Sequence, residues 1–217
     1  MKRLAYFACV CTLICGSASA GFIQADTAVA STEFSGHFRA TNTIDGSGLS
    51  SLSATATHAT YVRGNHWTTA ANDTGNVLNA WIEWGFNTAQ NLDKIHIWNH
   101  RSNNIAANDG YEPILFDLLV KDASNNVLLS WDNVALAPDT NLAQTFNFGS
   151  TLVGVKSVRF DVEQIQSTGD RRYTGLAEVG FNSGMNAVPE PATLAMWGLA
   201  GGIGLVIARR RRKGITA

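Results

Sequence analysis

This sequence predicts an all-β sandwich followed by a C-terminal transmembrane helix, on three observations. Apolar residues in the middle of the chain recur at every second position. Clusters of Asn, Asp, Gly and Ser separate the alternating runs, and no segment between them keeps a 3.6-residue period. Near the C-terminus, residues 192–208 form an uncharged apolar run, followed by Arg209-Arg210-Arg211-Arg212-Lys213.

The chain opens with Lys2 and Arg3, continues through the apolar stretch Leu4 to Cys15, and reaches Ala18-Ser19-Ala20. A basic start, an apolar centre and small residues at Ala18 and Ala20 read as a secretory signal peptide over residues 1–20, cleaved before Gly21. A lipid anchor at Cys15 fits poorly, because Ile14 stands where a small residue is needed. All three cysteines, Cys9, Cys11 and Cys15, lie in the signal. The mature protein therefore has neither disulfides nor a cysteine nucleophile, and its fold rests on its core or on a metal.

Residues 21–182 suit one domain with a real core. Phe116, Leu118 and Val120 alternate with Asp117 and Lys121; Val158, Phe160 and Val162 alternate with Arg159, Asp161 and Glu163; Ile95 and Ile97 alternate with Lys94, His96 and Trp98. Each pattern is that of a half-buried strand. Further strands are predicted at Ala80–Phe86, Val127–Trp131, Ala143–Phe148 and Gly175–Phe181. Short strands without intervening helices imply two packed sheets. Ser47–Thr60, rich in Ser, Thr and Ala, reads as a long loop, and residues 183–188 as a linker.

Between Gly21 and Val188 there are 9 Lys and Arg against 16 Asp and Glu, a net charge of −7, although the whole chain carries −1. An acidic exterior excludes nucleic acid and anionic lipid as natural partners, since both reward clustered cations.

In the tail, Pro189, Glu190 and Pro191 precede the apolar run. That run is just long enough to span a bilayer as a helix, and the basic cluster behind it should stay in the cytoplasm. Motif, membrane segment and basic stop together, over residues 189–213, resemble the PEP-CTERM sorting signal. The resemblance implies secretion through the inner membrane of a bacterium and transient anchoring in it by the helix 192–208. An exosortase-like transpeptidase then cuts near Pro189, Glu190 and Pro191, and the product reaches the cell surface or extracellular matrix.

The order of features in the middle region resembles the discoidin-like family, also called factor V/VIII type C or galactose-binding-like. The pieces are Ala40-Thr41-Asn42-Thr43-Ile44-Asp45-Gly46, Asn65-His66-Trp67, Ala80-Trp81-Ile82-Glu83-Trp84-Gly85-Phe86, Leu92 to Trp98, and Gly175-Leu176-Ala177-Glu178-Val179-Gly180-Phe181. The resemblance covers residues 27–182 and implies an eight-stranded jelly-roll sandwich. The Ser/Thr-rich insertion, which lengthens the path from Asp45-Gly46 to Trp67, departs from the family.

Asn42, Asp45 and Ser47 place an amide, a carboxylate and a third oxygen on one tight turn, with Gly46 permitting the curvature. Such mixed oxygens suit calcium. The family resemblance extends that set to Asn65, the Ala177 carbonyl and Glu178, in a structural role tying the beginning of the sandwich to its end. A plainer reading has Asp45 capping a turn and Glu178 facing solvent.

Carbohydrate recognition needs aromatic faces for C–H surfaces and planar polar groups for hydroxyl pairs. Loop candidates are His100 and Arg101, after Trp98-Asn99, and Arg171 and Tyr173, between the last two strands. Arginine forks suit paired hydroxyls or carboxylated sugars. Trp67, Trp81 and Trp84 read as core, and His96 and His100 as a pair of exposed histidines rather than metal ligands.

No zinc-protease, nucleophile-elbow, phosphate-loop or dinucleotide fingerprint is present, so an enzyme is not expected. Two readings remain: an exported surface or matrix protein whose domain binds extracellular polysaccharide, and a structural or protein-adhesion module without a sugar site.

Overall fold

The computed structural model describes residues 21–72, 77, 79–101, 111–166 and 172–184. The signal peptide with Ala18 and Ala20, Arg171, and the sorting segment with Pro189, Glu190, Pro191 and the helix 192–208 lie outside the described residues. No helix among the described residues is long and apolar enough to cross a membrane.

Among the described residues eight strands form: β1 (Phe22–Ile23), β2 (Thr27–Ala30), β3 (Trp67–Thr68), β4 (Trp81–Asn99), β5 (Pro113–Asp122), β6 (Val127–Ala135), β7 (Gln144–Ile165) and β8 (Gly175–Ser183). The only helical element among the described residues is a single 3-10 turn, Ala40–Thr43. All pairings are antiparallel, along the order β1-β8-β4-β7-β5-β6, with β2 on β4 and β3 on β8.

Two strands are much longer than the alternation predicted. Ala80–Phe86 and the Ile95 segment are the two halves of β4, and Ala143–Phe148 and the Val158 segment are the two halves of β7. The halves stay hydrogen-bonded throughout, from Trp81↔Asp161 to Ile97↔Gln144, with register shifts between Gly85 and Lys94. Polar residues and glycines in the middle of each strand look like chain breaks in sequence. In the fold they bend the ladder through bulges, with Gly149 and Gly154 at positive φ.

The bend makes two layers from one ladder. The first half of β4 lies between β2 and the second half of β7, with β5 and β6 beyond. The second half of β4 lies between β8 and the first half of β7, with β1 and β3 beyond.

Side chains at alternate positions meet between the layers. Trp84 lies edge-on to Phe181 at 6.2 Å, and Phe116 stacks on Phe160 at 4.5 Å and meets Phe146 at 5.3 Å. Trp67, Trp84, Phe116, Phe160 and Phe181 are fully buried, each contributing about 1.5–3 kcal/mol by leaving water. The Trp84 indole N–H donates to Thr43 Oγ1 at 2.9 Å, so its polar edge is satisfied. Trp81 is not core: it is half-buried, one residue out of phase with Trp84's face, and the Arg159 guanidinium lies 4.4 Å from its ring centroid. Arg159 in turn pairs with Asp161 at 2.7 Å.

The Ser47–Thr60 insertion packs on the domain rather than standing free. It makes isolated bridges Leu49↔His58 and Thr57↔Leu142, and the carbonyl of buried Ala56 accepts the Trp98 indole N–H at 2.9 Å. At the other boundary, Ser183 belongs to β8 rather than to a linker: its N–H donates to the Gly21 carbonyl and its Oγ accepts from Gly21 N.

Candidate functional site

Six aromatic side chains close into a ring at one end of the sandwich. Phe34 meets Phe38 at 5.7 Å, Phe38 stacks on Tyr61 at 5.1 Å, Tyr61 meets His100 at 4.9 Å, His100 meets Tyr111 at 5.3 Å, Tyr111 meets Tyr173 at 5.1 Å, and Tyr173 returns edge-on to Phe34 at 5.4 Å. The members come from the segment after β2, the turn before β3, the end of β4, and the segments entering β5 and β8.

Backbone ties hold these segments together. Thr68 accepts from Phe34 N at 2.8 Å and donates to the Phe38 carbonyl at 3.3 Å; Tyr61 N donates to the Arg101 carbonyl at 2.9 Å. Thr174 Oγ1 donates to the Tyr111 carbonyl at 2.9 Å, and the Thr174 carbonyl accepts from Thr69 N at 2.9 Å. The short strand β3 is thus the clamp of the ring. It can approach β8 this closely because Gly175 has no side chain: a Cβ there would stand 2.0 Å from the Trp67 carbonyl oxygen.

Histidines fill the bottom of the ring. His66 and His100 are fully buried with centroids 4.9 Å apart, and His58 meets His66 at 4.9 Å. His66 Nδ1 faces Asn65 Oδ1, whereas His66 Nε2 and both ring nitrogens of His100 have no hydrogen-bond partner among the described residues. Burial holds His66 well below the usual imidazole range and His100 at about 3, with neighbouring imidazoles adding to the effect, so both are neutral at physiological pH. A neutral imidazole offers one donor and one acceptor. Three such positions in a dry aromatic setting are costly to leave unpaired.

The loop candidates divide as follows. His100 and Tyr173 belong to one ring. Arg101 is half-buried beside it, with Nη1 3.5 Å from the His58 carbonyl. His96 and His100 are not an exposed pair: β4 continues through both residues' neighbourhood, and the insertion covers its end. His96 is held by Thr145 Oγ1 at 2.8 Å and Asn182 Oδ1 at 3.0 Å. Sequence reading missed Phe34, Phe38, Tyr61, His66 and Tyr111. The available signal was their position: large aromatic residues outside the alternating segments, which no strand face accounts for.

The turn expected to hold calcium is formed, with Gly46 at φ 75°. Asp45 Oδ1 accepts from Ser47 N at 2.7 Å, and Ser47 Oγ donates to the Gly64 carbonyl at 2.8 Å. Glu178 reaches this turn from β8, its Oε1 accepting from Gly46 N at 3.2 Å and Gln24 Nε2 at 3.1 Å. It is fully buried rather than facing solvent, and Oε2 has no partner among the described residues. Burial pushes its carboxyl up to about 8, and nearby Asp45 adds to the rise. Ala177 is the extra residue of a bulge, since the register passes from Trp98↔Glu178 to Asn99↔Leu176. Of the two expected asparagine oxygens, that of Asn65 is engaged, whereas Asn42 is held through its amide nitrogen. The Asn42 amide donates to the His37 and His66 carbonyls, and Asn65 Oδ1 meets Val62 N and His66 Nδ1. An orphaned carboxylate oxygen beside Asp45 fits a cation, whereas Asn65 Oδ1 is committed to Val62 N and His66 Nδ1.

Comparison with known proteins gives two results for two parts of the chain. As a protein family, the PEP-CTERM protein-sorting motif matches residues 187–213. No curated protein matches. Among solved structures, the family 32 carbohydrate-binding module of C. perfringens NanJ in complex with galactose is similar at TM-score 0.50 and 18% identity, covering 72% of this chain and 93% of that one. An F5/8 type C domain from Bacteroides fragilis is similar at TM-score 0.48 and 14% identity, covering 75% and 96%. A Streptococcus pneumoniae fucose binding module is similar at 0.48 and 14%, covering 78% and 99%.

The described domain therefore has the discoidin-like, galactose-binding-like fold. Residues 187–213, C-terminal to this domain in the sequence, match the PEP-CTERM protein-sorting motif, which indicates export and surface sorting in bacteria and implies an exosortase-type processing partner.

Proposed function

We propose that this exported protein binds carbohydrate through the aromatic ring of Phe34, Phe38, Tyr61, His100, Tyr111 and Tyr173, and that its ligand is an extracellular polysaccharide met at the cell surface or in the matrix. One observation carries the reading: a closed ring of aromatic faces, His100 among them, stands over buried His66, and three ring nitrogens of these two histidines have no partner among the described residues. Aromatic faces take sugar C–H surfaces, and unpaired imidazole nitrogens suit hydroxyls, which both donate and accept. Exposed Phe34 and half-exposed Tyr61 and Tyr173 meet a ligand first, while His66 and His100 lie beneath them. Each site is shallow and binds weakly, and many copies on one surface compensate by avidity.

A glycan array probed with the purified chain tests this. Retention is expected on a subset of glycans, and Tyr61→Ala and Tyr173→Ala should each abolish it at temperatures where circular dichroism shows the variant still folded. Absence of retention on every glycan, including the producer's own exopolysaccharide, leaves the structural-module reading.

The same reading includes a structural calcium ion on the 45–47 turn, held by Asp45 and Glu178 with oxygens of Ser47 and the Ala177 carbonyl. It would neutralise two adjacent carboxylates and tie β8 to the segment that begins the ring. The support is the buried, unpartnered Glu178 Oε2.

A further inference from the structure

The charge around the ring is opposite to that of the rest of the domain, and from it we infer that the site is selective for carboxylated glycans, polymers bearing uronic acid or a similar sugar carboxylate. The inference rests on the carbohydrate-binding reading above and narrows its ligand class. The described residues include eight Lys and Arg, and four of them, Arg39, Arg63, Arg101 and Arg172, stand within two residues of a ring member. All four are arginine. Of the other four, Lys156 donates to the Asn87 carbonyl and Arg159 pairs with Asp161.

Three of the arginines are near the ring in space as well as in sequence. A Cβ on Gly36, midway between Phe34 and Phe38, would meet Arg39 Nη2 at 3.3 Å, so that guanidinium lies along the turn carrying both phenyl rings. The Arg172 guanidinium sits 5.6 Å from the Tyr173 ring centroid. Arg101 Nη1 lies 3.5 Å from the His58 carbonyl, and His58 touches His66 at the bottom of the ring. Arg39, Arg63 and Arg172 are exposed.

Among the described residues the acids within the same reach are two, an exposed Glu33 tied to the backbone and a buried Glu112. Glu33 Oε1 accepts the Ala40 N–H at 2.8 Å, and Glu112 is fully buried. The carboxylates that make the domain acidic lie elsewhere, among them Glu83, Asp117, Asp161 and Glu163 on β4, β5 and β7. Cations gathered at one mouth of an anionic body focus the field there and repel acidic polymers everywhere else. Guanidinium forks match the planar geometry of a carboxylate, and stacking on aromatic faces keeps them oriented.

The test compares oligogalacturonate with its methyl ester, which has the same sugar and no charge, against the full-length chain in neutral detergent. The acid form is expected to bind about tenfold tighter at low salt, the effect of two partly screened ion pairs. That advantage should vanish near 1 M salt, where screening acts within about 3 Å. Arg39→Gln combined with Arg172→Gln should bring the ratio of acid to ester affinity to about one at low salt; a ratio still near tenfold overturns the charge inference. Equal binding of acid and ester overturns the charge inference while the ring still binds sugar. Binding of a sulfated galactan but not of oligogalacturonate overturns the carboxylate assignment. Binding of neither galacturonate form, nor of any glycan on the array, overturns the carbohydrate reading and this inference with it.

Discussion

Gly175→Ala isolates the clamp on which the proposed site depends. The added Cβ would stand 2.0 Å from the Trp67 carbonyl oxygen, 3.0 Å from its carbon and 3.2 Å from Thr68 Cα, all backbone atoms with no side chain free to yield. To admit it, β3 must move away from β8 and give up the pairs Trp67↔Leu176 and Thr68↔Gly175. Displacing Thr68 also disturbs its hydrogen bonds to Phe34 and Phe38, and displacing Trp67 its 2.9 Å indole bond to the Thr32 carbonyl. Forcing atoms into a packed site costs about 1–3 kcal/mol, and the loss of a two-residue pairing puts this case at the upper end. For a domain of this size that lowers the melting temperature by about 4–12 °C. Thermal unfolding followed by far-ultraviolet circular dichroism, with glycan retention measured well below the transition, reads both consequences. The variant should melt early and bind weakly even where fully folded, because two ring members move with β3. Wild-type melting would refute the packing argument, and early melting with undiminished retention would refute the claim that β3 positions the site.

Three further outcomes are expected. Chelation should lower the melting temperature, and Glu178→Gln should remove that response; a calcium ion at one hundred times its Kd stabilises by about 2.7 kcal/mol. In metal-free protein the Glu178 carboxyl is raised to about 8 from an unfolded value of 4.5, so the stability it contributes is complete at acid pH and lost as pH rises through 8. Melting of metal-free protein should therefore fall between about pH 5 and pH 8 and level off above, a slope absent in Glu178→Gln. His66 and His100 are depressed below 6.5, so their contribution is complete above that pH and lost as pH falls toward about 3; His100→Phe should flatten part of the acid limb in urea unfolding. Mass spectrometry of surface material should find a C-terminus near Pro189-Glu190-Pro191 in cells with the sorting enzyme, and recovery of chains still ending in the basic cluster would contradict processing there.

Much of this protein is written in one dimension. The alternation around Phe116, Phe160 and Ile95, the glycine at position 46 and the tripartite tail are local patterns, and local geometry dictates what they become: pleated strands, a turn at positive φ, and a matched sorting motif. Other features were decided only by contacts between distant segments. That β4 and β7 run unbroken through both layers depends on their pairing with each other, since a polar stretch reads alike whether a strand ends there or bends. Trp81 and Trp84 differ only in the face they present, and the register with β7 assigns one to Arg159 and the other to Phe181. The ring is the clearest instance. Its six members span residues 34 to 173, no two adjacent, and none belongs to a recognisable motif. They meet because β3 and the ends of β4 and β8 bring five chain segments to one end of the sandwich, and burial there sets the histidine protonation that no reading of neighbouring residues contains.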